Sequence, residues 1–125
     1  MLFGAGLIGL AVGLFTPAAI PAPVQAQEPV PGRREFEITA RRYEYAPARI
    51  EVTQDDLVKI TLSSDDIPHS FTIDEYRIAK RVGAGQTVTF EFRADQPGTF
   101  RIYCNLKQDE KCRTMRAALV VKPRR

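Results

Sequence analysis

Short runs in which apolar and polar residues alternate recur along the chain from residue 36 to its end. Because successive side chains of a strand point to opposite faces, this period of two predicts strands with one buried face. The runs are separated by segments rich in turn-forming residues, such as SSDDIP and DQPG. The pattern predicts an all-β sandwich of about seven or eight strands. The predicted strands lie in FEITARRYEY (36–45), ARIEV (48–52), LVKITL (57–62), HSFTI (69–73), TVTFEF (87–92), TFRIYC (99–104) and AALVV (117–121).

The first 27 residues differ from the rest of the chain because all 33 charged residues lie after position 27. Residues 2–15 are apolar, but they are fewer than the roughly 20 residues that a transmembrane helix needs. Val24 and Ala26 are small residues at the spacing of a signal-peptidase site, which predicts a signal peptide at residues 1–26. The alternative is an uncleaved N-terminal anchor, which alone would place the protein on a membrane. Both alternatives predict that the rest of the chain is periplasmic or secreted.

The part of the chain after the predicted signal peptide has the length of one domain with a single hydrophobic core. We predict a linker at residues 27–35, a folded domain at residues 36–122 and a basic tail at residues 123–125. The formal net charge is +3 and no dense basic tract is present, which argues against nucleic acid as a partner.

Side chains of the types that bind copper lie at points that a sandwich can bring together at one end. His69, the only histidine, begins one predicted strand, Cys104 ends another, and Cys112 and Met115 precede the last. An imidazole nitrogen, a cysteine sulfur and a weak axial methionine are ligand types of copper electron-transfer sites. Taken singly, His69 is equally typical of a hydrogen-bonded histidine and Met115 of a core residue. No nucleophile, base and orienting group can be assembled around the single histidine, which argues against an enzyme.

The segments that carry these residues resemble the cupredoxins, in particular the copper-binding domain of cytochrome oxidase subunit II and of nitrous-oxide reductase. The first half of the resemblance is YEYAPARIEVTQDDLVKITLSSDDIPHSFTI, where the histidine follows an aspartate and a proline. The second half is VGAGQTVTFEFRADQPGTFRIYC, which ends at the position of the copper cysteine, followed by CRTMRAALVV. The resemblance implies a Greek-key β-sandwich of cupredoxin type. It also implies that His69, Cys104 and Met115 occupy copper-ligand positions.

The sequence departs from this family pattern at two positions. Cys112 stands where the family has its second copper histidine, and Gln108 stands where a two-copper centre has a second cysteine. The second departure argues against a binuclear centre. The resemblance therefore implies one copper ion with an unusual ligand set of His69, Cys104, Cys112 and Met115. The implied function is copper binding, either in one-electron transfer or in copper holding and delivery.

Cys104 and Cys112 are also an even pair of cysteines in a chain that is predicted to lie outside the cytoplasm, where disulfides persist. Two sulfurs bound to one copper would lie about 3 to 4 Å apart, not far from the disulfide bond length of about 2.05 Å. The alternative function is therefore a metal-free structural or interaction module with a Cys104–Cys112 disulfide. Because copper needs the free thiolates, the two states exclude each other, and the pair is predicted to gate copper binding.

Four basic residues lie close to the predicted site in the sequence, namely Lys107, Lys111, Arg113 and Arg116. A basic rim beside a redox site would attract an acidic partner and speed its encounter. The expected partners are a redox protein such as a cytochrome or an oxidase, or a copper donor or acceptor. The alternative is an ordinary solvated loop, in which the acidic residues of the same segment offset the basic ones.

Overall fold

The computed structural model describes residues 32–124, so the predicted signal peptide lies outside the described residues. The described part contains nine strands and two short 3₁₀ helices, and none of its helices has the length and apolar character of a membrane span. The strands are β1 (Arg33–Arg41), β2 (Glu44–Ala46), β3 (Arg49–Thr53), β4 (Leu57–Ser64), β5 (His69–Ile73), β6 (Ile78–Val82), β7 (Thr87–Arg93), β8 (Gly98–Tyr103) and β9 (Arg116–Lys122). The 3₁₀ helices are η1 (Asp74–Tyr76) and η2 (Glu110–Thr114).

The strands form two sheets that share one hydrophobic core. The four-stranded sheet has the order β2-β1-β4-β7, and the five-stranded sheet has the order β3-β9-β8-β5-β6. β1 pairs in parallel with β4, and β3 pairs in parallel with β9, whereas the other pairs are antiparallel. The chain crosses several times between the sheets, because neighbours in a sheet are often distant in sequence. The all-β sandwich predicted from the alternating runs is confirmed.

The first predicted strand is divided in the structure. FEITARRYEY forms β1 and β2, which pair as a hairpin in which Arg41 is opposite Glu44. β1 begins at Arg33, so it extends into the segment predicted as a linker. At the other end of the chain, the guanidinium of Arg124 donates to Asp55 at 2.8 Å and its backbone amide donates to the Gln54 side chain at 3.2 Å. The second residue of the predicted basic tail is therefore bound to the turn after β3.

β6 was not predicted, because its sequence lacks an alternating pattern. Only its first and last residues, Ile78 and Val82, are buried, and the three residues between them are exposed. β6 lies at the edge of its sheet, where it pairs with β5 alone. Its exposed residues include Lys80 and Arg81, and charges on an edge strand discourage pairing with other chains. A strand selected in this way does not show one continuous apolar face.

β5 links the core to the candidate site, because every one of its residues is buried. Phe71 projects toward the opposite sheet, where its ring lies 5.4 Å from the ring of Phe90 on β7 and 6.2 Å from that of Tyr45 on β2. His69 lies two residues before Phe71 and therefore shares its face of the strand. The packing that fixes Phe71 thus also holds His69 at the edge of the core.

The hydroxyl of Tyr45 donates a hydrogen bond to the backbone carbonyl of Ser70, the residue that follows His69. Burial raises the pKa of Tyr45, so the hydroxyl remains a protonated donor at neutral pH. This bond connects β2 in one sheet to β5 in the other. It therefore fixes the start of β5, at the candidate site, relative to the opposite sheet.

Tyr45→Phe is expected to lower the free energy of unfolding by about 1 kcal/mol, because it removes one buried hydrogen bond and keeps the ring. The measurement is urea unfolding of the wild type and the variant. Tyr103→Phe is the matched control, since its hydroxyl bonds to Asp74 at 2.7 Å in an exposed position. An equal effect of the two substitutions would contradict a special role of the Tyr45 bond.

Candidate copper and disulfide site

The ends of β8 and β9 bring Cys104 and Met115 to the same end of the five-stranded sheet. Tyr103, the last residue of β8, lies opposite Arg116, the first residue of β9. Cys104 follows Tyr103 and Met115 precedes Arg116, so the two residues leave the sheet on neighbouring segments. Both side chains are fully buried. The structure therefore places two of the predicted ligands together at the edge of the core.

A reciprocal pair of hydrogen bonds joins the start of β5 to the end of β8. The Ser70 hydroxyl donates to the side-chain oxygen of Asn105 and accepts from the backbone amide of Asn105, each at 2.7 Å. His69 immediately precedes Ser70, and Cys104 immediately precedes Asn105. These bonds therefore hold the segments of the predicted histidine and cysteine ligands side by side.

The imidazole of His69 is completely buried and oriented by a carboxylate. Its Nε2 lies 2.8 Å from Oδ1 of Asp66. An ionised carboxylate can only accept a hydrogen bond, so Nε2 carries a proton in this contact. The neutral ring then presents an unprotonated Nδ1, and this buried nitrogen has no hydrogen-bond partner within residues 32–124. The Nδ1 atom is thus available to a ligand.

Asp66 is held in place by its own set of donors. Its carboxylate accepts from the backbone amide of Arg42 at 2.9 Å and from that of Ile67 at 2.6 Å, in addition to His69. Burial opposes ionisation, but the bonds from the Arg42 amide, the His69 ring and the Ile67 amide outweigh it and lower the pKa of Asp66 to about 2. The carboxylate is therefore charged at neutral pH and fixes both the orientation and the tautomer of His69.

Cys104 and Cys112 form a disulfide, with 5.3 Å between their Cα atoms. Cys112 lies in η2 and is buried, with its amide bonded to the Asp109 carbonyl at 3.0 Å. The amide of Met115 bonds in turn to the carbonyl of Cys112 at 3.1 Å. The disulfide that the sequence offered as the alternative to a copper site is therefore present in the structure, and the described residues include no free cysteine.

The loop between the two cysteines is anchored from the opposite sheet. Asp109 caps η2 by accepting from the Lys111 amide at 3.0 Å, and its second carboxylate oxygen accepts from the Tyr43 hydroxyl at 3.0 Å. Tyr43 lies in the turn between β1 and β2. This loop was predicted as irregular chain with one helical turn at most, and η2 is that turn.

The arrangement can do two different things, depending on the oxidation state of the cysteines. In the disulfide form neither sulfur is a thiolate, and only the His69 nitrogen and the Met115 thioether remain as copper-binding groups at this end. Accordingly, residues 32–124 contain no group of three or more His, Cys, Asp or Glu side chains arranged to hold a metal. Reduction would release two soft thiolates beside a buried and unpartnered imidazole nitrogen, which is a donor set suited to copper.

The predicted basic rim is divided in two by the structure. Lys107, Arg113 and Arg116 line one cavity of about 350 Å³, next to Cys104. Lys111 points elsewhere, with its ammonium 5.8 Å from the centre of the Tyr43 ring. The four basic residues therefore do not form one continuous surface.

Sequence reasoning missed Asp66 and Asn105 as parts of this site. Asp66 lay in SSDDIP, which indicated only a turn, although an aspartate three residues before a histidine is a signal for an orienting carboxylate. Asn105 had no signal of its own, because its partner Ser70 lies 35 residues away in the sequence. Only the pairing of β5 with β8 brings these two residues together.

The model of the cupredoxin-like domain family matches residues 7–121 of the chain. The protein belongs to the cupredoxin-like family. Its relatives include cytochrome c oxidase subunit 2 of Thermus thermophilus, which is 29% identical over 75 residues, or 60% of this chain and 56% of that protein. A second form of this subunit, from another strain of the same organism, is also 29% identical, over 45% of its length. The cupredoxin-like chain thus spans about half the length of these relatives.

Solved structures share the fold. The periplasmic domain of cytochrome oxidase subunit II of Bradyrhizobium japonicum superposes with a TM-score of 0.62 and 12% identity, covering 71% of this chain and 83% of that domain. The metal-binding domain of the Cu(I)-exporting P-type ATPase of Streptococcus pneumoniae superposes with a TM-score of 0.57 and 18% identity, covering 70% and 83%. The predicted cupredoxin type of the sandwich is therefore confirmed.

Asp66→Asn is expected to lower the free energy of unfolding at pH 7 by about 1–3 kcal/mol, because it weakens three hydrogen bonds to a carboxylate. Folding lowers the pKa of Asp66 from its ordinary value of 3.8 to about 2. The stabilisation is therefore fully present above about pH 4 and is lost as the pH falls through about 2. Chemical unfolding between pH 7 and pH 2 should show the wild type and the variant converging at low pH.

Asp65→Asn is the control for this prediction, since Asp65 is the adjacent carboxylate. Its ion pair with Arg41, at 3.0 Å, is exposed on both sides. Exposed pairs contribute about 0–1 kcal/mol, so the control should change stability little at any pH. Equal and pH-independent effects of the two substitutions would contradict the role assigned to Asp66.

Proposed function

We propose that the protein is an extracytoplasmic copper-binding member of the cupredoxin-like family whose Cys104–Cys112 pair gates the site. The reduced form would hold one copper ion through His69 Nδ1, the two cysteine thiolates and the Met115 thioether. The disulfide form would hold none at these sulfurs. The observation that carries the proposal is the buried Nδ1 of His69, which has no partner among the described residues although Asp66 orients the ring.

An unpartnered buried polar atom needs a physical reason. Leaving a buried acceptor without a hydrogen bond costs about 1–3 kcal/mol, and the bonds that position Asp66 and His69 would be unnecessary for a ring that only fills space. A metal bound at Nδ1 would remove this cost. The carboxylate on Nε2 would at the same time make the ring a better ligand, which is the usual role of a group behind a metal-binding histidine.

Copper would supply one-electron chemistry or serve as the cargo itself, and the ligand types favour the second role. Two thiolates and a thioether are soft donors, and a single imidazole leaves Cu(II) poorly served. A site that strongly prefers Cu(I) is better suited to holding and delivering copper than to cycling between two oxidation states. The Cu(I)-bound domain of the S. pneumoniae exporter shows that a protein of this fold can be solved with Cu(I).

The proposed location and partners follow from the same chemistry. A disulfide between Cys104 and Cys112 persists in an oxidising compartment, which agrees with a periplasmic or secreted protein. A copper donor or acceptor is the partner that a holding site requires. The relationship to cytochrome c oxidase subunit 2 makes an oxidase the expected recipient or redox partner.

A metal-free module is the second candidate, and the disulfide itself favours it. Closing a loop as short as that between Cys104 and Cys112 contributes about 2–3 kcal/mol on the chain-entropy estimate. Both half-cystines are buried, which protects the bond from exchange with small thiols. In this candidate the sulfurs serve stability, and the orientation of His69 has no ligand to explain it.

Free thiols and bound copper should be counted on the same sample of the full chain before and after mild reduction. We expect no thiol and no Cu(I) at this site before reduction. After reduction we expect both cysteines to titrate and one Cu(I) per chain to bind in competition with a Cu(I) chelator. Two thiols with no copper bound at micromolar Cu(I) would contradict the copper proposal. A disulfide that resists the reductant, or a fold lost on reduction, would support the metal-free module.

Variants of the reduced protein should show which side chains hold the ion. Asp66→Asn is expected to weaken Cu(I) binding by about 10–100-fold, as other substitutions behind a metal-binding histidine do. Met115→Leu keeps the volume of the side chain and should weaken binding less, because an axial thioether is a weak ligand. Asp65→Asn should leave the affinity unchanged. Equal affinities in all of these variants would contradict a site at His69.

A further inference from the structure

A cavity of about 350 Å³ lies beside Cys104, on the outer side of the five-stranded sheet. Four of its lining residues are cationic and none is acidic. The cationic residues are Arg101, Lys107, Arg113 and Arg116. We propose that this cavity binds a small ligand with two or more anionic oxygen groups, of the polycarboxylate or phosphate-ester class. The proposal does not depend on copper binding.

Strand register explains why these cations converge. Arg101 and Tyr103 are two residues apart on β8 and therefore project from the same face. Arg116 on β9 lies directly opposite Tyr103, so its side chain joins that face. The loop after β8 adds Lys107, and η2 adds Arg113. The fold thus concentrates positive charge at one point, although the basic residues are spread over 16 positions of the sequence.

The positive charge in this cavity is not compensated by the protein. Ion pairs within residues 32–124 involve none of the four cationic residues. Arg116 donates to the backbone carbonyls of Arg113 and Met115, which fixes its guanidinium without neutralising it. Arg101 lies 4.5 Å from the centre of the Tyr103 ring and is held there in the same way. Cations kept close together repel one another, and an anion in the cavity would offset that repulsion.

The donors present suit a ligand with several oxygen atoms. Guanidinium groups present parallel N–H donors that match carboxylates and phosphates, and the Lys107 ammonium adds a point charge. Asn105 contributes a neutral donor, because its amide oxygen is occupied by Ser70 and its NH₂ group has no partner in the described part of the chain. A volume of about 350 Å³ is at the lower end of small-molecule sites.

A second cavity shows that basic lining residues alone do not make such a site. It has a volume of about 280 Å³ and is lined in part by Arg33, Arg34 and Arg124, but also by Asp56. Arg33 is paired with Glu91 and Arg124 with Asp55, each at 2.8 Å. Its charge is therefore largely neutralised within the fold, which makes it the natural control.

Calorimetric titration of the oxidised, copper-free full chain with citrate and with pyrophosphate tests the proposal, with acetate as the monovalent control. We expect one of the two polyanions to bind with one site per chain and acetate not to bind. Which of them binds decides between the polycarboxylate and the phosphate class. Binding of a hexaglutamate peptide without binding of either small polyanion would overturn the proposal in favour of an acidic protein partner.

The matched variants remove the same charge from different places. Lys107→Gln with Arg113→Gln should weaken binding about tenfold or more, because each loses a charged donor. Arg34→Gln with Lys59→Gln, on the other sheet, should leave the affinity within about twofold. Thermal unfolding checks that each variant folds, and Arg101→Gln alone is the substitute if the first variant does not. Equal weakening by both pairs, or no binding of either polyanion to the wild type, would overturn the proposal.

Discussion

Packing between the inner faces of the two sheets is the interaction on which the rest of this structure depends. Phe71 of β5 meets Phe90 of the opposite sheet at 5.4 Å between ring centres, and β4 adds three fully buried aliphatic residues to the same core. Burying one such side chain contributes about 1.5–3 kcal/mol. Because His69 is two residues from Phe71, the core also determines where the imidazole lies. The candidate site is therefore an extension of the core, and its histidine is buried for the same reason as its neighbours.

The two cysteines give one pair of atoms two incompatible uses. Sulfurs that share a copper ion and sulfurs that share a bond need similar backbone positions, so the same fold accommodates both. The resemblance to copper-binding cupredoxins concerns three ligand positions, and Cys112 replaces the remaining histidine. That replacement turns a ligand that is always available into one that oxidation can remove. Redox control of the site would then reside in this substitution and would need no moving domain.

Neighbouring residues of one strand end serve opposite sides of the five-stranded sheet. Ile102 and Cys104 face the core, whereas Arg101 and Tyr103 face the basic cavity. The inner side offers soft sulfur and a buried nitrogen, and the outer side offers hard cationic donors. A metal on one side and an anion on the other would lie close together without sharing a ligand. Because the loop from Asn105 to η2 borders both, a change in the disulfide would be felt on both sides.

The alternating runs by themselves determined the sandwich, most of its strands and the side chains of its core, because a period of two is a local property of a half-buried strand. The sequence also determined which residues offer copper-binding atoms. Tertiary structure alone decided that β6 is an edge strand, that Asp66 orients His69, and that Ser70 reaches Asn105 across 35 residues. It also separated Lys111 from Arg113, although they are close neighbours in the sequence. Contacts of this kind depend on strand pairing and loop direction, which have no signature in a local pattern.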